Sequence, residues 1–135
     1  MVFFTSLMVV DGVENPYVFG ESRTILLNRT KIVLNVLREP WDENAGRYYL
    51  AGLNRALIVT EPTLPHHPAF VPGVHLVETS IEHMADAICY YLTHEDERER
   101  IVEHAYQLVT TDMAIDNTVG AILTAIEQKR QHKQS

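Results

Sequence analysis

The sequence predicts a three-layer α/β fold with a short parallel sheet and helices gathered toward the C-terminus. Three observations predict it. Residues 31–37 (KIVLNVL) and 56–60 (ALIVT) are compact apolar runs, the pattern of strands buried on both faces, which is the habit of parallel sheets. Helical segments separate such runs and fill the last third, so strands alternate with crossovers. The chain has 135 residues, 46% hydrophobic and 21% charged, enough for one domain with its own core. We take residues 1–135 as a single Rossmann-like domain, in which ligands bind beyond the carboxyl ends of the strands.

Each element has its own justification. Residues 2–10 (VFFTSLMVV) are β-branched and aromatic, as a strand requires, and Asp11-Gly12 marks a turn. These belong to an N-terminal strand-and-turn segment, residues 1–19. A short helix follows over 21–29, with Ile25 and Leu26 on one side, then the buried strand of 31–37. Residues 38–44 are polar with Pro40 and read as a loop. A helix over 46–53 is closed by Asn54, a residue that tolerates the left-handed conformation. After the strand of 56–60, residues 61–73 carry four prolines and the pair His66-His67, a loop too long to be mere connection. Residues 74–77 make a third, shorter strand.

The remainder is helical. Thr79 and Glu82 are spaced as a capping box, followed by Ile81, Met84, Ala85, Ile88, Tyr91 and Leu92 on one face. Cys89 falls within this helix and is expected to be a buried, inert thiol. Thr93 is expected to cap the next helix, whose acidic first turn (Glu95, Asp96, Glu97) complements the helix dipole. Ile101, Val102, Ala105, Leu108 and Val109 form its apolar stripe. A last helix begins near Met113 with Ile115, Val119, Ile122 and Ile126 expected to face inward, and residues 128–135 form a polar tail.

Several function classes are excluded or disfavoured. With a net charge of −7 and one basic cluster (Lys129, Arg130, His132, Lys133) at a helix end, the chain has no footprint for nucleic acid. The longest apolar run, residues 2–10, is about half a membrane span and lacks signal-peptide flanks, so a cytoplasmic location is expected. One cysteine forms no internal disulfide. No Walker loop, G-x-G-x-x-G or nucleophile elbow is present. The histidines lack the spacing of a zinc site, so neither metal nor cofactor is expected.

From residue 20 onward the order of features resembles the C-terminal, nucleotide-sugar-binding half of a GT-B glycosyltransferase, especially spore-coat (group 1) glycosyltransferase-like members. The resemblance rests on the strand Arg29-Thr30-Lys31-Ile32-Val33-Leu34-Asn35, on Gly46-Arg47-Tyr48 opening the next helix, and on a small-residue helix running into a strand over residues 50–60. It continues through residues 72–78 (PGVHLVE), the helix containing EHMADAI, and ERERIVEHA ahead of the terminal helix. It covers residues 20–127. Two departures accompany it. Retaining enzymes of this kind place two glutamates eight positions apart, and alignment on the small-residue helix puts Trp41 and Tyr49 there. The N-terminal acceptor domain has no counterpart in these residues, which implies a split, truncated or degenerate enzyme.

The resemblance and the strand-end rule converge on three loops: 38–44, 61–73, and the turn around Glu78. Arg47, at a helix start, is the candidate phosphate ligand, aided by free backbone amides; the competing reading is a salt bridge to Asp42 or Glu43. Asn35 and Arg38 would line the same crevice or pack its loop. Glu61 and Glu78 would each accept a ribose hydroxyl, and His66 would contact sugar or phosphate. Trp41 and Tyr49 would stack on a base or belong to the core. The implied partners are a nucleotide or nucleotide-sugar and a separate acceptor-binding domain. The rival reading is a non-enzymatic module that oligomerises, with residues 2–10 as an added or exchanged strand.

Overall fold

The computed structural model describes residues 2–4, 9–10, 13–14, 19–37, 39, 45–64 and 70–134. Its main sheet has four parallel strands in the order β1 (Val2–Phe4), β4 (Ile32–Asn35), β5 (Leu57–Thr60), β6 (Val77–Glu78). A separate antiparallel ribbon joins β2 (Val9–Val10) to β3 (Val13–Glu14), with Val10 opposite Val13. The expected strand over 2–10 is thus two short strands in different sheets, and β1 pairs with β4 of its own chain. The expected turn at Asp11-Gly12 lies outside the described residues.

The crossovers are α1 (Gly20–Asn28) and α2 (Ala45–Leu53). After β6 come a short 3₁₀ turn (Ile81–His83), α3 (Met84–Thr93), α4 (Glu95–Gln107), a π-helical turn (Leu108–Asp112) and α5 (Ile115–Gln134). The third strand lies at 77–78 rather than 74–77; ahead of it Pro72 makes only an isolated bridge to Leu76.

Strand alternation sorts the core into two halves. Val33 and Ile58 face Leu27 of α1, Tyr48 and Ala51 of α2, and Leu108 and Val109 of the π-turn. Ile32, Leu34, Leu57, Val59 and Val77 face Met84 of α3 and Ile101 and Val102 of α4. All four residues of β4 and of β5 are buried, as a sheet covered on both faces demands. The three-layer α/β architecture is therefore as the sequence predicts.

Local corrections have physical causes. The left-handed residue after α2 is Arg55 (φ 54°), not Asn54. Arg55 N–H donates to Gly52 O and Ala56 N–H to Ala51 O, a Schellman closure that places the left-handed residue one step later. Arg55 offsets that strain by stacking 3.8 Å from the Tyr106 ring centroid and pairing with Glu103. The capping box is displaced as well: Ser80, not Thr79, precedes the 3₁₀ turn, and its side chain makes no cap bond. Thr93 ends α3 instead of capping α4, because its hydroxyl turns back to the Cys89 and Tyr90 carbonyls.

The apolar face of α3 is narrower than its periodicity implies. Met84 is buried, Ile88 and Tyr91 pack beside it, and Ile81, Ala85, Leu92 and Cys89 are exposed. On α1 the buried residue is Leu27, while Ile25 is exposed. The largest correction is α5. Ile115, Val119, Ile122 and Ile126 do not face inward; each is exposed, as is every described side chain of the helix. Among the described residues, Met84 of α3, Ile101 and Val102 of α4, and Leu108 and Val109 of the π-turn supply the C-terminal packing against the sheet.

Candidate functional site

In-register pairing aligns the last residues of three strands: Asn35 opposite Thr60, and Thr60 opposite Glu78. By alternation Asn35 and Thr60 continue the rows of Val33 and Ile58, so their side chains point toward α2. There the apolar core gives way to a small polar network. Asn35, Thr60 and Tyr48 are each wholly buried, and such groups must find partners among themselves.

They do so in one consistent way. Arg47 Nη1 donates to Asn35 Oδ1 at 2.6 Å. Arginine offers donors only, so the Asn35 amide is oriented with its oxygen toward Arg47 and its nitrogen inward. Asn35 Nδ2 donates to Thr60 Oγ1 at 2.9 Å and lies 3.5 Å from the Tyr48 hydroxyl. The Thr60 hydroxyl donates to Glu61 O at 2.9 Å, which leaves Tyr48 Oη as the donor across its 3.4 Å contact with Thr60. Phe70 closes the network below, its ring centroid 5.2 Å from that of Tyr48.

Glu61 serves the same edge. One carboxylate oxygen accepts the Leu37 N–H at 2.9 Å, and Glu61 N–H reaches back to Asn35 O. The glutamate therefore clamps the chain leaving β4 against the end of β5. Beyond Thr60, the carbonyl accepts Thr79 N–H at 2.9 Å and fixes the exit of β6.

Arg47 occupies the first turn of α2, where backbone amides lack helical partners and the dipole is positive. A cation there is electrostatically unfavourable, and the turn holds no acidic residue. Gly46 beside it has open space, among the described residues, where a Cβ would project. The Arg47 guanidinium is held at this helix start by a buried asparagine.

The structure thus brings Asn35, Arg47 and Glu61 together at one sheet edge, with Glu78 in the same row and exposed. Arg38, His66 and Trp41 lie outside the described residues, as do Asp42 and Glu43. Tyr49 is half-buried and edge-on to Phe70, with centroids 6.3 Å apart, which places it against the core. Thr60 and Tyr48 are the participants that sequence reasoning missed. A threonine ending a strand in line with Asn35, and a tyrosine following the arginine, were the available signals.

A second polar cluster lies toward the other end of the sheet, where the strands begin. Val74, His75, His104, Gln107, Leu108, Thr111 and Asp112 line an open cleft beside the π-turn. His75 Nδ1 accepts the Val71 N–H at 3.0 Å. Burial, and then the neighbouring His104, hold His75 below its ordinary pKa, with Asp112 opposing. His104 Nδ1 is buried without a partner among the described residues. Among those residues no group of three histidine, cysteine, aspartate or glutamate side chains stands ready to hold a metal ion.

Comparison with protein families decides the affiliation. A family described as glycosyl transferase-like matches residues 11–124, most of the chain. The protein belongs to the glycosyl transferase-like family. No curated protein matches the sequence. Within this family domain, no helix among the described residues is long and apolar enough to cross a membrane.

Proposed function

We propose that this glycosyl transferase-like domain binds a nucleotide-sugar donor at the carboxyl edge of its sheet, as one half of a GT-B arrangement. The observation that carries the reading is Arg47: a guanidinium in the first turn of α2, fixed by a fully buried Asn35 beside the first-turn backbone amides. Such a group recognises phosphate oxygens by paired hydrogen bonds and charge. Glu78, exposed at the same edge, accepts a hydroxyl of the ribose or sugar. Glu61, with one oxygen engaged by Leu37, supports the loop that borders the ligand. Arg38 and His66 are assigned to the same ligand on the resemblance. The setting is cytoplasmic.

Transfer by this domain alone is not expected. The two positions where retaining GT-B enzymes carry glutamates hold Trp41 and Tyr49, and Tyr49 is engaged with Phe70. No charge at either position assists departure of the nucleotide, so the domain supplies donor binding to a separate acceptor-binding partner. Calorimetric titration with UDP, GDP and ADP and their sugar conjugates tests this. Saturable binding abolished in Arg47→Ala and weakened in Arg47→Lys supports the reading. Absence of binding by all of them to a folded sample refutes it.

A further inference from the structure

The helix α5 is the feature that neither the fold nor the proposed site employs. It runs twenty residues, Ile115–Gln134, or roughly 30 Å, and its described side chains are all exposed. Ile115, Val119, Ile122 and Ile126 follow one another at spacings of four, three and four, which is the seam of a two-stranded coiled coil. Their exposures run from 46% to 76%, and Leu123, at 55%, flanks them. An isolated helix of this composition, with Gly120 and three threonine or asparagine residues in its first ten positions, is marginal in water without a partner for its apolar stripe.

The charge order along the helix selects the partner. Asp116 stands in its first turn with Asp112 just ahead of the helix, and Lys129, Arg130 and Lys133 outweigh Glu127 toward its end. A second copy laid parallel would bring like charges together at both ends. Laid antiparallel, it sets the acidic start against the basic end twice over. The apolar seam obeys the same symmetry. With the two-fold axis passing between Gly120 and Ala121, each Ile115 meets the other copy's Ile126 and each Val119 its Ile122. All four layers are filled with no polar residue inside, and the surface is self-complementary as an isologous contact must be.

We infer that α5 pairs antiparallel with α5 of a second copy of this chain, making the protein a homodimer whose strand-edge sites lie on separate subunits. Because α5 lies outside the core, its seam can be altered without disturbing the sheet. Sedimentation equilibrium of the full chain across a concentration series is the test, with Val119→Lys and Ile122→Glu as variants. The expected result is a dimer for the parent and a monomer for each variant, with unchanged circular dichroism from the α/β core. Orientation is read by oxidative cross-linking in a Cys89→Ser background. Ile115→Cys chains mixed with Ile126→Cys chains should give a mixed disulfide dimer, and Ile115→Cys alone should not. A monomeric parent, a dimer that survives both seam variants, or self-cross-linking of Ile115→Cys in place of the mixed species would each overturn the inference. A monomer whose α5 instead protects against proteolysis only when a different protein is added would also overturn it.

Discussion

Replacing Asn35 by alanine is the most informative perturbation of the strand edge. Asn35 makes one hydrogen bond to a charged group, Arg47, and one well-formed neutral bond to Thr60, with Tyr48 at the limit of contact. A bond to a charged partner contributes about 1.5–3 kcal/mol and a neutral one about 1 kcal/mol. Arg47 is half-exposed and recovers part of its loss from water, which places its contribution at the low end. Thr60 and Tyr48 are wholly buried and recover little, although each can turn its hydroxyl toward the other. The sum is about 3 kcal/mol, which for a domain of this size lowers the melting temperature by about 10 °C. Thermal denaturation followed by circular dichroism measures the shift, and calorimetry with the best-binding nucleotide measures the consequence for the site. Arg47→Ala separates the two effects: it removes the proposed phosphate ligand and leaves Asn35 Oδ1 reachable by water, so binding should vanish with a smaller loss of stability than in Asn35→Ala. If Asn35→Ala melts within about 2 °C of the parent, the network is not closed, and the argument that a buried asparagine positions Arg47 is wrong.

Other consequences follow from particular contacts. At Arg55 (φ 54°), glycine relieves about 1 kcal/mol of strain while the exposed ion pair and ring stacking are lost, so Arg55→Gly should be near neutral in urea denaturation. Arg55→Val keeps the strain and loses the contacts, and should cost about 2 kcal/mol or more. Arg98 is buried on α4, with its guanidinium on Glu95, Glu99 and the Tyr91 carbonyl. Since both glutamates are exposed, the stem's packing outweighs the charge: Arg98→Met should cost less than about 1 kcal/mol and Arg98→Ala about 2 kcal/mol, and the opposite order would show that the ion pairs dominate. His75, whose folded pKa is depressed by burial, contributes stability that is fully present above its unfolded value of about 6.5. That contribution is lost as the pH falls through the lower folded value. Urea midpoints from about pH 7 to about pH 5 should therefore decline less steeply in His75→Asn, which retains an acceptor for Val71 N–H.

Much of the sheet was legible in the sequence, because a strand buried on both faces admits few residue types. Residues 32–35 and 57–60 are apolar to within one position of their ends, and those ends are where Asn35 and Thr60 stand. The strand-end rule then pointed to the edge where Asn35, Thr60 and Arg47 meet. What sequence could not supply was depth. Asn35 and Arg47 were candidates individually, but their contact depends on α2 running back over the sheet so that Tyr48 fills the core and Arg47 reaches past it. The helical third misled for a related reason. Periodicity reports that a helix has an apolar face, not that anything lies beneath it. On α4 Ile101 and Val102 meet the sheet. On α5 an equally regular stripe meets solvent, and on α3 the exposed Cys89 lies off the face formed by Met84, Ala87, Ile88 and Tyr91.

The polar network and the orphan positions point the same way about chemistry. Catalysis by charge requires ionisable groups where charge develops in the reaction, and here the buried groups at the edge, Asn35, Thr60 and Tyr48, are neutral hydrogen-bonding residues occupied with one another. Among the described residues their charged neighbour is Arg47, whose sign suits an anion that is already formed. On the proposed reading, a guanidinium held by Asn35, the first-turn amides of α2 and a peripheral Glu78 would recognise phosphate and hydroxyl groups. If the domain holds a donor as proposed, Arg47, rather than Glu61 or Glu78, is the residue on which activity of a reconstituted enzyme should depend most steeply.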